Sequence, residues 1–250
     1  MFFNSALKHV RVLLVFLAAA ASCGCGAESA RRSAPVLSYR DGYVEPYALA
    51  VRFAPVLYLH ESEPYEIIAV YAVLHPAKPY IAYHLFFEHD AVLFAGGDAD
   101  HEILWVEYDP VSLKAANVLS LWHRTVIRTD QCLMEAKASD QRPVVFVQWG
   151  QHGLLPSGWE SLVSVRPRLE VIAHYSIVHD LNRIPKIGSR TSAVAFEGTY
   201  EDYVSFEAEV DTRAFLLDTG VFVSEFPEER MAALAAGRFE FKVKKDWPDW

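Results

Sequence analysis

Short apolar runs alternate with turn-forming residues along most of the chain. The runs are rich in valine, isoleucine and aromatic residues, and they are bounded by glycine, proline, aspartate or serine, which is typical of β-strands. Proline inside the first run indicates an edge strand or two pieces, because proline cannot donate a hydrogen bond to a neighbouring strand. The predicted strands cover residues 48–60, 67–74, 81–87, 103–108, 118–127, 143–148, 162–165, 170–178, 191–196, 203–210, 214–217 and 238–243.

Only one segment predicts a helix. Residues 227–236 begin with proline, carry two glutamates in the first turn, where the helix dipole is positive, and are followed by Gly237 as a stop. Many short strands and a single C-terminal helix predict a mainly β fold, namely an antiparallel β-sandwich with few helices. We assign residues 46–250 to one domain of this kind.

The N-terminal residues have the features of an export signal. Residues 1–22 place two basic residues before an apolar run and end in small residues, which predicts a signal peptide; the run is too short to span a membrane. Its end, followed by Cys23, resembles a bacterial lipobox, so we expect Cys23 to be lipidated and residues 23–45 to be a tether. The expected location is the cell envelope, anchored to the membrane through that lipid, and the alternative is plain secretion. Cys25 and Cys132 either form a disulfide or stay unpaired.

Composition and motifs exclude several classes of function. The formal net charge of −9 opposes binding to nucleic acid, because phosphate would be repelled. The sequence lacks a nucleophile elbow, a phosphate-binding loop, a dinucleotide fingerprint and a zinc-protease box. Whether the protein is an enzyme stays open at this point.

Candidate chemistry lies between the predicted strands 81–87 and 103–108. The connecting residues carry several carboxylates and two histidines around a Gly-Gly turn, and loops held by rigid strands often form sites. Carboxylates and imidazoles there could bind a divalent metal ion, or they could form a solvated acidic turn. Glu88 and Glu102 could act as a carboxylate acid/base pair. His152 lies between glycines that allow close approach of a ligand, and the alternative is a core histidine. The candidate binding residues are Asp90, His101, Glu102 and His152.

Four segments in order resemble two related families. They are FAPVLYLH at 53–60, YHLFFEHD at 83–90, DHE followed by Trp105 at 100–105, and GQH followed by Pro156 at 150–156. The first, with Glu63 and Tyr65 after it, resembles the opening of a fungal vacuolar protein-sorting family. The others resemble the necrosis- and ethylene-inducing-like proteins, which are secreted β-sandwich cytolysins. The resemblance covers roughly residues 53–160.

This resemblance implies a site as well as a fold. In the cytolysins, an acidic and histidine-containing box with an upstream aspartate binds a divalent metal ion used to engage a sphingolipid headgroup. By position, the metal ligands would be Asp90 and His101, with Glu102 as neighbour. The later acids of that box are replaced by Leu104 and Val106 in this chain.

Three hypotheses about function follow. The first is an exported, lipid-anchored protein of the cell envelope that binds an unknown glycan or lipid through loops carrying Asp90, His101 and His152. The second is a metal-dependent hydrolase that uses the same residues, with His152 as acid/base. The third is a cytolysin-like membrane-binding protein.

Overall fold

The computed structural model describes residues 45–91, 99–162, 165–180, 194–226 and 247–248, which belong to one compact unit, Leu37–Trp250. These ranges contain ten strands and four α-helices. The strands are β1 (Val56–Leu59), β2 (Ile67–Leu74), β3 (Tyr80–Phe87), β4 (Asp100–Tyr108), β5 (Ala115–Trp122), β6 (Thr125–Ile127), β7 (Val144–Val147), β8 (Leu154–Pro156), β9 (Ala208–Asp211) and β10 (Leu216–Val223). The helices are α1 (Pro46–Phe53), α2 (Asp130–Ala138), α3 (Val165–Asp180) and α4 (Tyr200–Tyr203).

The strands form two mixed sheets. The larger sheet has six strands in the order β10-β2-β3-β4-β5-β6, and β2 to β6 pair antiparallel in chain order. The smaller sheet has the order β8-β7-β1-β9. β7 runs parallel to β1, and β10 runs parallel to β2, so neither sheet is wholly antiparallel. The prediction of a mainly β fold is confirmed, but the sheets are mixed, whereas an antiparallel sandwich was expected.

One apolar core joins the two sheets. Leu57 and Val145 of the smaller sheet belong to the same buried cluster as Leu85 and Leu104 of the larger sheet. Successive side chains of a strand point to opposite faces, so Trp105, which follows Leu104, packs in a separate cluster on the outer face of the larger sheet. A core shared between two sheets is the arrangement expected of a sandwich.

The predicted strand at 48–60 is wrong in its first half. Residues 46–53 form α1, which begins with proline at its first position, where no backbone donor is needed. Leu49, Ala50 and Phe53 lie on one helical face and are buried in the core. Ala54, before Pro55, has an extended conformation and ends the helix, because proline disfavours helical geometry in the preceding residue.

The predicted strand at 170–178 is also wrong. It lies inside α3, although its valine and isoleucine content favours strands. Val171, Tyr175 and Val178 have the spacing of one helical face, and all three pack in a second apolar cluster that also contains Trp122 and Trp159. Packing of that face therefore overrides the local preference for a strand.

Several other elements differ in type or bounds from the prediction. The region 203–210 contains the end of α4 and the start of β9, and residues 194–196 have no regular structure. Residues 214–217 contain only the first two residues of β10. Helix α2 was not predicted; Thr129 caps it by accepting a hydrogen bond from the backbone N–H of Cys132, and only two of its side chains are buried. Because so few of its side chains are buried, the sequence of α2 shows little of the apolar periodicity that predicts a helix.

Several predictions lie outside the described residues. These are the signal peptide 1–22, the tether through residue 44 with Cys23 and Cys25, the Gly-Gly turn at 96–97, the strand 238–243 and the helix 227–236. Cys132 is a free thiol, fully buried, and burial raises its pKa to about 11. Within the described ranges, no helix is long and apolar enough to cross a membrane.

Candidate functional site

The turn between β7 and β8 holds a histidine in an unusual conformation. The backbone φ angles of Gly150 and His152 are 66° and 53°, in the left-handed region that favours glycine. A Cβ atom at Gly150 would lie 2.8 Å from the Cβ of Ala91, so glycine is required by space as well as by conformation. The carbonyl of Gly150 accepts a hydrogen bond from the backbone N–H of Ala91 at 2.6 Å. The turn is therefore closely packed against the chain that follows β3.

His152 lies between two carboxylates. Its Nδ1–H donates to Oδ2 of Asp100 at 2.9 Å, and its Nε2–H donates to Oε1 of Glu63 at 3.2 Å. The imidazole is fully buried, and its ring stacks on Phe87 with centroids 3.9 Å apart. Burial opposes the charged form, but the hydrogen bonds that the imidazole donates to Asp100 and Glu63 outweigh it and raise the pKa of His152 to about 9. At neutral pH the ring is an imidazolium ion.

The other carboxylate oxygens of this group also have partners. Oε2 of Glu63 accepts from the backbone N–H of Gly150 at 2.8 Å, and Oδ1 of Asp100 accepts from the backbone N–H of His101 at 2.8 Å. We call Glu63, Asp100 and His152 the charged triad. Because both nitrogens of its imidazole are engaged, His152 has no free atom for proton transfer to a substrate. The arrangement joins three separate chain segments and favours a positioning role over an acid/base role.

Two of the predicted site residues, His101 and His152, lie on opposite sides of the larger sheet. Asp100, His101 and Glu102 are the first residues of β4 and do not lie in a loop. His101 pairs with Phe86 on the outer face of the larger sheet, and the two rings stack with centroids 4.6 Å apart. Asp100 pairs with Phe87 and points to the face that carries His152. The expected convergence of His101 with His152 is therefore wrong, because neighbouring strand residues face opposite sides of a sheet.

His101 instead belongs to a buried pair of imidazoles. Its Nε2 lies 3.0 Å from Nδ1 of His84, and the two rings are stacked with an interplanar angle of 4°. Burial lowers the pKa of His84 to about 3, so that ring is neutral. The pair lies among the apolar side chains of the outer face, where the two rings pack as core histidines.

The remaining predicted residues have different surroundings. Glu102 is buried and lies on the same face of β4 as Asp100, two residues away. Asp90 is half-buried and directly precedes Ala91, which is held by the turn of His152. Asp98 lies outside the described residues. Among the residues that are described, no group of three or more histidine, cysteine, aspartate or glutamate side chains could hold a metal ion.

Asp100 and Glu63 were both absent from the candidate binding set, and Glu63 is the one that lies farther from His152 along the chain. It follows β1 and reaches His152 across 89 residues of chain, so no local pattern indicates the contact. The only signal in the sequence is the resemblance of residues 53–65 to the vacuolar sorting family, which included Glu63 and Tyr65. The ring of Tyr65 also contacts His152 edge-on, at a centroid distance of 6.1 Å.

A pocket of about 280 Å³ opens beside the charged triad. Its apolar floor comes from the two sheets and the segment before β10, and its rim carries polar side chains from the segment between β1 and β2. We call it the glutamate pocket because three glutamates line it; the described lining contains no lysine or arginine. The lining residues are Leu59, His60, Glu61, Glu63, Tyr65, Glu66, Ile67, Ala208, Val210 and Phe215.

A second polar network lies behind the same turn. Oε1 of Gln148 accepts from the indole N–H of Trp122 at 2.8 Å and from Nε2 of His123 at 3.0 Å. Its amide nitrogen donates to the hydroxyl of Tyr203 at 2.7 Å. These bonds connect β5 and α4 to Gln148, the residue that follows β7, and the buried amide is satisfied on both sides. Gln148 therefore fixes the base of the turn that carries the charged triad.

Comparison with known proteins gives no match. No protein-family model fits the sequence, and neither a curated protein nor a solved structure is significantly similar to the chain. The resemblance to the cytolysins and to the vacuolar sorting family stays a prediction.

Proposed function

We propose that the protein is an exported, lipid-anchored binding protein of the cell envelope, and that the glutamate pocket is its binding site. The observation that supports this is the pocket itself, an apolar cavity of about 280 Å³ with three glutamates in its lining. Binding sites are commonly apolar concave surfaces with a few placed polar groups. The triad fixes one wall, because both oxygens of Glu63 are hydrogen-bonded to the turn at 150–152.

The lining indicates the charge of the ligand. Glu61 and Glu66 are exposed at the rim, whereas Leu59 and Ile67 are buried in the floor. Carboxylates attract a cation, and the apolar floor favours an adjoining hydrocarbon part. The proposed ligand therefore carries an ammonium group next to an apolar part. Lipids and glycans of an envelope can both carry such a group.

Binding is tested with small amines on the purified full chain. Benzylammonium should bind more tightly than benzyl alcohol, which has the same ring without the charge. Glu66→Gln should weaken benzylammonium by about threefold and leave benzyl alcohol unchanged, because an exposed ion pair contributes up to about 1 kcal/mol. The matched control is Glu201→Gln, which removes an exposed glutamate that does not line the pocket. Equal affinity for the two compounds would exclude a cation site.

The source of the ammonium group is distinguished by two further probes. A short-chain phosphatidylethanolamine represents a lipid, and glucosamine represents a glycan. Competition with benzylammonium by the first alone indicates a lipid ligand, and competition by the second alone indicates a glycan ligand. If neither competes, the ligand is a free amine or the proposal of an envelope ligand is wrong.

Export and anchoring need their own experiment. The full chain should appear in the membrane fraction of a bacterial host with a mass increase on the N-terminal peptide, since a lipobox cysteine is acylated. Cys23→Ala should shift the protein to a soluble exported fraction. Retention of the unmodified protein in the cytoplasm would contradict both parts of the prediction. In the described residues, no observation favours the hydrolase or the cytolysin over this function.

A further inference from the structure

A second pocket, of about 340 Å³, lies on the outer face of the larger sheet, away from the sandwich core. The buried indole of Trp105 contributes to its floor. Leu121, Val126 and Trp247 line it as well, so most of its surface is apolar. We call it the tryptophan pocket. Its volume lies at the lower end of the range that holds small organic ligands.

Trp247 is held in place by three kinds of contact. Its indole N–H donates to the backbone carbonyl of Glu225 at 3.0 Å. Its ring meets the ring of His75 edge-on, with centroids 5.0 Å apart. It also packs against the apolar cluster of the outer face, which contains Trp105. The two indoles are therefore fixed walls, and a flat apolar body gains contact with them at little conformational cost.

The charge of this pocket is opposite to that of the glutamate pocket. His123 and Arg124 form the two-residue turn between β5 and β6, and both line the pocket. The backbone of His123 has a φ angle of 52°, and its ring is held by Gln148, so the direction of the turn is fixed. Arg124 is exposed, and the described lining contains no aspartate or glutamate. A guanidinium next to apolar walls recognises a carboxylate or phosphate on an apolar body.

We propose that the tryptophan pocket binds a small organic anion with a flat apolar body, with the ring system against Trp105 and Trp247 and the anionic group on the guanidinium of Arg124. This site is separate from the glutamate pocket in position and in charge. Its test therefore does not depend on the function proposed above.

The test uses 2-naphthoate as the anionic probe and 2-naphthamide as its neutral isostere, titrated against the full chain by ligand-observed NMR. We expect naphthoate to bind about fivefold more tightly, which is the upper range for an exposed ion pair. The difference should shrink in high salt, which screens exposed charges. Arg124→Gln should remove the preference. Arg128→Gln is the matched control, because Arg128 is also exposed and does not line the pocket.

Two further variants test the walls. Trp247→Ala should weaken both probes, and Trp247→Phe should retain most of the affinity. Val126→Glu places a carboxylate in the pocket at a position that is 46% exposed, so it should weaken naphthoate and spare naphthamide without affecting folding. The proposal is overturned if neither probe binds, if the probes bind equally, or if Arg124→Gln and Arg128→Gln behave alike. Unchanged binding in Val126→Glu and in folded Trp247→Ala would also overturn it.

Discussion

The charged triad predicts an unusual dependence of stability on pH. Burial disfavours the charge of His152, but Asp100 and Glu63 raise its pKa from an ordinary value of 6.5 to about 9. The folded protein therefore holds this proton more tightly than the unfolded chain does. The resulting stabilisation is complete below pH 6.5 and is lost as the pH rises through 9. Most proteins lose little stability in that interval, so the effect should be visible.

The size of the effect follows from the raised pKa. Each pKa unit by which the folded and unfolded states differ corresponds to about 1.4 kcal/mol. The free energy of unfolding should therefore fall by roughly 3 kcal/mol between about pH 6 and about pH 9. The assay is urea unfolding at a series of pH values, followed by tryptophan fluorescence. The series should stop near pH 9, since the buried thiol of Cys132, whose pKa is raised to about 11, contributes its own pH dependence above that value.

His152→Asn is the matched variant. Asparagine tolerates the left-handed backbone conformation of this position better than other residues with a side chain, and it does not titrate. The variant should be less stable than the parent protein near pH 6, and its free energy of unfolding should be almost constant up to pH 9. The reasoning is refuted if the two proteins show the same pH dependence, or if the parent protein does not lose stability as the pH rises.

Three other substitutions test contacts that stabilise the fold. Gly153→Ala should destabilise the protein by about 1–3 kcal/mol, because the new methyl group would lie 2.6 Å from an indole carbon of Trp122; a change below about 0.5 kcal/mol in urea unfolding would contradict this. Thr129→Ala should cost about 1 kcal/mol by removing the cap on the N–H of Cys132, and Thr129→Ser should restore most of it in the same assay. Arg142→Lys should lower the melting temperature, since the single ammonium of lysine cannot place donors at the separate positions of Nε and Nη2, from which the guanidinium reaches two backbone carbonyls and Asp211; an unchanged melting temperature would exclude this role.

The charged triad is suited to holding structure and not to acid/base catalysis, because both imidazole nitrogens of His152 are hydrogen-bonded to carboxylates. A histidine whose two nitrogens face carboxylates is a charged anchor, and its strained backbone is maintained by the bonds to Glu63 and Asp100. Replacement of either carboxylate should therefore affect the shape of the glutamate pocket as well as stability. A binding function tolerates such a fixed wall, whereas acid/base catalysis would need one nitrogen free.

The helical segments show where sequence patterns fail. Residues 170–178 contain many residues that favour strands, yet they form a helix because Val171, Tyr175 and Val178 can pack together on one face. The core strand β2 was predicted correctly, since its eight residues are almost all apolar and it lies between two other strands. Strand propensity predicts the structure correctly where, as in β2, the whole segment is buried in a sheet. Where the apolar residues also fit the spacing of a helical face, as in 170–178, tertiary packing decides between strand and helix.

The sequence by itself indicates that the chain is mainly β, because most of its short runs of branched and aromatic residues are typical of strands. It also indicated His152 as a special position through the glycines beside it. Only the tertiary structure decided the partners of that imidazole, which lie 52 and 89 residues away along the chain. Alternation along an extended segment already predicts that His101 and Asp100 point to opposite faces. The fold decides that the face of Asp100 is the one that meets His152, because this depends on the register of β4 in the sheet.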